Sequence, residues 1–196
     1  MTIKLRDFEV RLTRNKEERK QVRQLRYNVF VEEEGASATE EQRALREEYD
    51  SYDRFAEYMA VFHNGRIVGT YRIIDRKAAE KMDGFYTESE YNISKIKKYR
   101  GNIAEMSRAC VEKSYRENAL VMRMLWAGLG EMIMRRKIEV FRIGVYETYE
   151  DLNTPPVDPR EIAGAEGNVI NINYYQFEDT WTQSREISDG FMSMVF

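Results

Sequence analysis

The feature that most constrains the fold of this 196-residue chain is a pair of apolar runs joined by Asn64-Gly65. Residues 58–62 (YMAVF) come before this dipeptide, and residues 67–71 (IVGTY) come after it. Asn-Gly is a preferred pair for a two-residue turn in which both residues have positive φ angles. Two apolar runs joined in this way predict an antiparallel hairpin. Residues 55–74 therefore hold the clearest local structure in the chain.

Upstream of the hairpin, the sequence predicts one strand and one helix. Residues 8–12 alternate between apolar and polar side chains, as a half-buried strand does. Asn15, followed three residues later by Glu18, has the pattern of a capping box, so a helix begins here and runs to about Val31. Residues 32–48 carry seven glutamates and little apolar content. This charge run predicts a mobile or solvated helix and loop.

Downstream of the hairpin, a long charged connection covers residues 75–101. Its length is typical of a substrate-covering element, and short helices are expected at 76–82 and 94–99. All three prolines lie at positions 155, 156 and 159, so a last region follows this break. The other expected elements are strands at 103–111, 140–145, 169–172 and 191–196, and a helix capped by Asn118.

Glu105 and Arg108 lie three positions apart inside an apolar strand. In a regular strand they would point to opposite faces of the sheet, because the side-chain period is two. A β-bulge between them would bring both to one face and leave one backbone N–H unpaired. Acyl transfer to an amine needs such a donor for the oxyanion and a carboxylate base for the ammonium proton. A structural ion pair is the alternative interpretation.

Three further blocks accompany this pair in a fixed order along the chain. They are residues 25–30 (LRYNVF), 48–53 (EYDSYD) and 69–72 (GTYR), followed by 105–108 (EMSR). Together the four blocks, spread over about residues 20–145, resemble the GNAT-type acyltransferases. Within that superfamily they are most similar to the branch that uses acyl carrier proteins. That branch includes acyl-homoserine lactone synthases, ornithine-lipid Nα-acyltransferases and long-chain N-acyl amino acid synthases.

The resemblance implies a fold and a set of site residues. The fold is α/β (α+β), a mixed and mostly antiparallel sheet flanked by helices, with residues 1–196 as one domain. The catalytic residues are then Glu105 as general base and Arg108. The residues expected at the acceptor substrate are Arg26, Phe30, Asp50, Asp53 and Arg72. Without the family pattern, surface ion pairs and plain helix packing of Phe30 would explain these residues as well.

Composition excludes several other classes of function. The sequence has one histidine, His63, which is expected to be exposed at the hairpin turn. A catalytic Ser-His-Asp triad or Cys-His dyad is therefore not expected. The one cysteine, Cys110, lies in an apolar strand and is expected to be a buried core residue. One cysteine and one histidine cannot form the common zinc sites, so no metal site is expected. A net charge of −3 with mixed signs does not indicate a nucleic-acid partner. With no signal-peptide core and no membrane span in the sequence, a cytoplasmic location is expected, although an acylated product would be drawn to membranes.

The acyl donor is inferred from residues 116–121 (RENALV). Acetyl-CoA-dependent relatives place glycines at this helix start, where backbone N–H groups approach the CoA pyrophosphate. Both glycines are missing here, which favours the phosphopantetheine arm of an acyl carrier protein over CoA, with no cofactor held by the chain itself. The residues expected to meet the carrier protein or its phosphopantetheine are Arg116, Asn118, Ala119, Lys95, Lys97, Lys98 and Arg100.

The acceptor is the least constrained part of the hypothesis. Residues 84–91 and 115–119 look like segments of the ornithine-type enzymes, whereas the size and the tail are closer to stand-alone N-acyl amino acid synthases, including N-acyl tyrosine makers. Abundant aromatic residues around 85–99 and 172–181 favour tyrosine. The alternatives are ornithine as acceptor, an acetyl-CoA-dependent small-molecule acetyltransferase, and a catalytically silent binding module.

Overall fold

The hairpin predicted around Asn64-Gly65 lies inside the sheet of the computed structural model, which describes residues 2–89, 93–117, 119–143 and 169–171. Asn64 and Gly65 have φ angles of 51° and 78°, as their turn requires. In the described residues, seven strands form one sheet in the order of the chain. The strands are β1 (Ile3–Leu5), β2 (Phe8–Leu12), β3 (Glu57–His63), β4 (Arg66–Asp75), β5 (Asn102–Val111), β6 (Ile138–Ile143) and β7 (Val169–Asn171).

Strands β1 to β5 pair antiparallel, and β5–β6 and β6–β7 pair parallel. The predicted mixed, mostly antiparallel sheet is therefore confirmed. The helices are α1 (Lys16–Arg26), α2 (Glu40–Leu45), α3 (Arg76–Ala79), α4 (Ser94–Lys98) and α5 (Leu120–Arg136). A π-helix spans Tyr27–Glu33, and 3₁₀ helices span Ser51–Arg54, Tyr86–Ser89 and Lys113–Tyr115. None of the described helices is both long enough and apolar enough to cross a bilayer.

The two main helices cover opposite faces of the sheet. Helix α5 packs through Val121, Leu125 and Leu129 on a core that includes Val10 and Met59. Its close approach depends on Gly69 in β4, because a Cβ there would lie 2.4 Å from Val121 Cγ1. On the other face, α1 packs with Val22 and Leu25 in a cluster that includes Tyr58, Ala60 and Cys110. This arrangement leaves the C-terminal end of α1 beside the middle of β4 and β5.

Helix α1 begins as the sequence predicts, with Asn15 Oδ1 accepting a hydrogen bond of 2.9 Å from the backbone N–H of Glu18. After Arg26 the backbone changes to a π-helix, which continues to Glu33. A π-helix widens the turn and shifts the angular positions of the residues that follow it, and such segments are frequent at functional sites. Phe30, the aromatic residue expected at the acceptor, lies within this π-helix and packs against the α1 cluster.

The prediction of a solvated segment at residues 32–48 is wrong at its end. Thr39 caps α2 in a capping box with Gln42, and Glu47 is buried with Arg23 Nε 2.6 Å from its carboxylate. The next residue, Glu48, contacts Arg26. Local charge density predicted solvent exposure, but Arg23 and Arg26 of α1 provide partners for the last two glutamates of the run.

His63 is the second correction, because it is half-buried rather than exposed. Its ring stacks on Phe8 with 4.2 Å between centroids, and its Nδ1 lies 2.7 Å from the hydroxyl of Tyr115. Cys110 is buried as predicted, and burial raises the pKa of its thiol to about 12, so the thiol is unreactive at neutral pH. The predicted strand at 191–196, the proline break and the Asn118 cap lie outside the described residues.

Candidate active site

The predicted β-bulge is present, and it falls at Arg108 itself. The register of β4 and β5 passes from Arg72–Ser107 to Thr70–Cys110, so Tyr71 faces two residues, Arg108 and Ala109. Arg108 has a φ angle of 52°, the left-handed conformation that a bulge of this kind requires. The strand is regular up to Ser107, and the extra residue then directs the Arg108 side chain toward the face that carries Glu105.

The paired aspartates form a reciprocal capping box around one turn of 3₁₀ helix. Asp50 Oδ1 accepts from the backbone N–H of Tyr52 at 2.9 Å, and Asp53 Oδ2 accepts from the backbone N–H of Asp50 at 2.8 Å. Each carboxylate still has an oxygen that accepts from an arginine. The spacing of three between Asp50 and Asp53 therefore fixes both carboxylates beside β4 and β5.

Two fully buried arginines lie beneath this turn. Arg26 Nη1 donates to Asp53 Oδ1 at 2.7 Å, and its Nε donates to Glu48. Arg72 Nη1 donates to both carboxylate oxygens of Asp50, at 2.6 and 2.7 Å, and its Nε donates to Ser107 Oγ at 2.9 Å. Arg72 Nη1 also lies 3.4 Å from Asp53 Oδ1. These guanidinium groups join α1, β4 and the 3₁₀ turn into one rigid unit.

Arg108 and Asp50 form the accessible edge of this cluster. Their side chains are 22% and 24% exposed, whereas the side chains of Arg26 and Arg72 have no exposed surface. Arg108 Nη2 lies 3.4 Å from Asp50 Oδ2, and its Nε lies 3.5 Å from Glu48 Oε1. A small molecule that enters from solvent would therefore reach Arg108 and Asp50 before the buried arginines.

The cluster holds three arginines and four carboxylates, those of Glu48, Asp50, Asp53 and Glu105. Burial alone would raise the pKa of Asp53, but the guanidinium groups of Arg26 and Arg72 lower it to about 2. Burial likewise disfavours the charged form of Arg26, and Asp53 with Glu48 raises its pKa in compensation. Asp53 and Arg26 are therefore held in their charged forms, in a cluster whose side chains include one more carboxylate than guanidinium groups.

Glu105 is 2% exposed and lies under the connection between β4 and β5. Its Oε2 accepts a hydrogen bond of 3.2 Å from the backbone N–H of Thr87. Burial raises the pKa of the nearby Tyr52 hydroxyl, and the negative charges of Glu105 and Asp50 raise it further. Since the predicted base and Arg108 both contact the turn that contains Thr87, the bulge has the predicted effect of bringing them to one face.

Three half-buried aromatic rings surround the two arginines of β4 and β5. The guanidinium carbon of Arg72 is 5.5 Å from the ring centroids of both Tyr52 and Tyr86. The corresponding carbon of Arg108 is 5.4 Å from Tyr86 and 6.0 Å from Phe30. The rings come from three separate segments, and cation–π contact favours keeping the guanidinium groups between them. They form an aromatic wall beside the carboxylates.

The structure brings together all seven predicted catalytic and acceptor residues in one cluster. Sequence reasoning did not single out Glu48, Tyr52, Tyr86, Thr87 or Ser107. Glu48 and Tyr52 lie inside the block around the paired aspartates, and Ser107 lies between Glu105 and Arg108, so their positions in these blocks were the available signal. Tyr86 and Thr87 lie within residues 84–91, whose similarity to the ornithine-type enzymes was the available signal. That similarity does not indicate their contacts with Arg72, Arg108 and Glu105.

The residues predicted to meet the donor are more scattered. Arg116 Nε donates to the Val111 carbonyl at 2.8 Å, and its Nη1 lies 2.9 Å from Glu33, so these groups already hold it. Ala119 is the N-cap residue of α5 and offers no capping side chain. Lys97 pairs with Glu88, whereas Lys98 and Arg100 are exposed. Asn118 and the side chain of Lys95 lie outside the described residues. No cluster of metal-binding side chains occurs in the described part of the chain.

The backbone of Arg108 gives a prediction about stability that is separate from its charge. A side chain at positive φ is disfavoured by about 1 kcal/mol relative to glycine. We therefore expect Arg108→Gly to be more stable than Arg108→Ala by about that amount, although both variants lack the guanidinium. Urea unfolding of the two variants, with Ser107→Gly against Ser107→Ala in the regular strand as a control, measures the difference. Equal stabilities of the two Arg108 variants would contradict a strained bulge.

The families and structures that this chain resembles have the fold described above. A model of the acetyltransferase (GNAT) domain matches residues 25–127. The chain is similar to an L-ornithine N(alpha)-acyltransferase of Brucella abortus (strain 2308), with 32% identity over 142 residues that cover 68% of this chain and 50% of that protein. This chain spans about half the length of the curated relatives it matches.

Two solved structures share the fold. FeeM, an N-acyl amino acid synthase from uncultured soil microbes, superposes with a TM-score of 0.53 and 15% identity over 70% of this chain and 71% of its own. The acyl-homoserine lactone (AHL) synthase LasI superposes with a TM-score of 0.51 and 20% identity over 68% and 70%. The resemblance inferred from the four sequence blocks is confirmed by a domain model that matches more than half of the residues: the chain belongs to the acetyltransferase (GNAT) domain family.

Proposed function

We propose that this protein is an N-acyltransferase that moves a long-chain fatty acyl group from the thioester of an acyl carrier protein to the α-amine of an amino acid. The observation that carries the proposal is the buried carboxylate of Glu105 on the same face as the bulged Arg108. The carboxylate supplies a base for the acceptor amine. The bulge disrupts the ladder beside it, where a backbone N–H is a candidate donor to the oxyanion.

The proposed reaction is direct attack without a covalent enzyme intermediate. Glu105 accepts a proton from the acceptor ammonium, directly or through a water, and the free amine attacks the thioester carbonyl carbon. A C–N bond forms and the C–S bond breaks, so the phosphopantetheine leaves as a thiolate. The attacking nitrogen loses its second proton as the amide forms, and the thiolate takes up that proton. Each step needs only a carboxylate, an oxyanion donor and a held substrate. Phe30 is proposed to pack beside the thioester.

In this proposal, Asp50 and Arg108 contact the acceptor directly. They are the accessible members of the cluster, and together they offer a carboxylate for an ammonium and a guanidinium for a carboxylate. Arg26, Asp53 and Arg72 are buried, so their proposed role toward the substrate is to hold Asp50 and Arg108 in place. An amino acid carries both charges that this pair can bind.

The donor is proposed to approach the N-terminus of α5. The N-terminus of this 17-residue helix is the positive end of the helix dipole, and such a terminus favours a phosphate. Ala119 and Val121 stand where acetyl-CoA-dependent relatives have the two glycines that would let a CoA pyrophosphate approach the backbone. Lys98 and Arg100 are exposed cations available to an acidic carrier protein.

Two amino acids are candidate acceptors, and a different observation favours each of them. The aromatic wall of Phe30, Tyr52 and Tyr86 favours an aromatic amino acid such as tyrosine. Ornithine is favoured by the similarity to ornithine acyltransferases and by the extra carboxylate in the cluster, since a second ammonium needs a second anion. Tyrosine is the acceptor we propose, with ornithine as the second candidate.

The decisive experiment offers the protein palmitoyl-carrier protein with equal amounts of tyrosine and ornithine in a pool of amino acids. Mass spectrometry of the products is expected to show palmitoyl-tyrosine as the main amide. A main product of palmitoyl-ornithine would reverse the choice of acceptor. Parallel reactions with acetyl-CoA and palmitoyl-CoA test the donor. Faster transfer from either CoA ester would overturn the assignment of a carrier protein as donor. No transfer from any donor would contradict the proposal that the protein is an acyltransferase.

A further inference from the structure

The turn at residues 85–89, hereafter the covering turn, contacts both halves of the candidate site. Its Tyr86 ring lies against the guanidinium groups of Arg72 and Arg108. Its Thr87 is buried, and the backbone N–H of Thr87 donates to Glu105. A small displacement of this one turn would therefore change the surroundings of the base and of both arginines together.

A single carboxylate shapes the covering turn. Glu88 Oε1 accepts from the backbone N–H of Phe85 at 2.8 Å and so closes the turn on itself. The carboxylate also lies across Gly84, where a Cβ would be only 2.2 Å from Glu88 Oε1 and the φ angle is 104°. Phe85 is buried in the cluster of Ile74 and Ile103, which anchors the beginning of the turn.

The other oxygen of Glu88 connects the covering turn to α4. Lys97 Nζ lies 2.6 Å from Glu88 Oε2, although the lysine side chain is 51% exposed. Burial would raise the pKa of Glu88, but the hydrogen bonds from Lys97 and from the Phe85 N–H lower it, so the carboxylate is ionised when it accepts both. Arg76 holds the end of α4 by donating to the carbonyls of Lys97, Tyr99 and Gly101. Lys97 therefore extends from an anchored helix.

We propose that Lys97 is a positioning residue, whose ion pair with Glu88 holds the covering turn so that the Thr87 N–H reaches Glu105 and the Tyr86 ring packs on Arg72 and Arg108. This inference rests on the proposed function, in which Glu105 is the base. It differs from the role that sequence reasoning gave Lys97, which was contact with a carrier protein. A docking residue affects only a donor that has a carrier protein, whereas a positioning residue affects every donor.

The test compares Lys97→Met with the wild type on two donors, palmitoyl-carrier protein and palmitoyl-pantetheine. We expect kcat to fall on both by about threefold to fivefold, the upper range for a partly exposed ion pair. We also expect the acid limb of the kcat/KM pH profile to move to higher pH, because the covering turn supplies a hydrogen bond that favours the charged form of Glu105. A purely structural role would leave that limb in place.

Hydrogen–deuterium exchange gives a readout that does not depend on activity. Amides of residues 85–89 should exchange faster in Lys97→Met than in the wild type, while amides of β3 should not change. Lys4→Met is the matched control, because Lys4 also pairs with a glutamate, Glu9, at 3.9 Å but lies far along the sheet. Glu88→Gln should give the same changes, and adding Lys97→Met to it should change little more.

The outcomes separate the inference from the proposed function. A higher KM for palmitoyl-carrier protein alone, with unchanged exchange and unchanged palmitoyl-pantetheine turnover, would overturn positioning and make Lys97 a docking residue. If the wild type transfers acyl groups from neither donor, the proposed function fails. In that case, faster exchange of residues 85–89 in Lys97→Met would still show that the ion pair holds the covering turn. Unchanged exchange would overturn the inference.

Discussion

Replacing Glu105 with glutamine is expected to lower kcat by about 100-fold or more, the usual scale for loss of a general base. Glutamine has nearly the same shape, and its amide oxygen can still accept from the Thr87 N–H, so the fold and the covering turn should be retained. Only the ability to take the ammonium proton is lost. Steady-state kinetics at saturating acceptor, together with urea unfolding, separates the chemical effect from an effect on stability.

The pH range of the measurement matters for Glu105→Gln. If the base acts by taking a proton, raising the pH supplies free amine from solution and should partly restore the variant. Glu112→Gln is the matched control, because Glu112 pairs with Arg66 at 2.9 Å on the surface and should be within twofold of wild type. If the activity of Glu105→Gln is within threefold of wild type at several pH values, Glu105 is not the general base.

Replacing Arg26 with methionine is expected to destabilise the protein by about 3–5 kcal/mol. Methionine fills similar volume but leaves the carboxylates of Asp53 and Glu48 beside a buried apolar side chain. Removing one partner of a buried ion pair costs this much because the remaining charge stays out of water. Arg135→Met, which breaks an exposed pair with Glu131 one turn away on α5, should change the free energy of unfolding by less than about 0.5 kcal/mol.

The loss of stability in Arg26→Met should depend on pH in a defined direction. In the wild type the pKa of Asp53 is about 2, below its ordinary value of 3.8, so its contribution is complete above about pH 4 and is lost as pH falls through about 2. Without Arg26, the strongest group that lowers this pKa is lost, so the pKa of Asp53 rises and the pH-dependent stabilisation that it provides becomes smaller. The difference between wild type and variant should therefore be smaller at pH 3 than at pH 7; a constant difference would contradict the assigned partner.

Local rules were sufficient for much of the fold. Asn64-Gly65 predicted the hairpin, because a turn type follows from two residues. Asn15 predicted the start of α1, because an N-cap is also local. The Glu18 carboxylate accepts from the backbone N–H of Arg14, so the return bond of the predicted capping box is not the one that forms. The change to a π-helix after Arg26 could not be predicted in this way. Val29 and Phe30 of this segment pack with Ile67 and Cys110, which are distant in sequence, and no local pattern contains such contacts.

In the candidate site, too, local sequence patterns predicted some features, whereas contacts between distant segments could not be predicted. The spacing of three would place Glu105 and Arg108 on opposite faces of a regular strand, so their common face depended on a predicted bulge, which the structure contains. The role of Glu48 was missed, because a glutamate in a charged run reads as solvated until Arg26 is placed beside it. Thr87 was missed for a stronger reason. It acts through a backbone N–H, which every residue except proline has, so its side chain carries no signal.

The connected arginines and aspartates also bear on how such a sequence can change over generations. Asp53 Oδ1 accepts from Arg26, Tyr58 and, more distantly, Arg72, so a single replacement at either arginine removes one donor from a buried carboxylate. Substitutions here are strongly epistatic, and compensating changes must occur together. The rings of Phe30, Tyr52 and Tyr86 contact guanidinium faces without such strict pairing. Within the proposed function, a change of acceptor is therefore expected to begin at these aromatic positions, one mutation at a time.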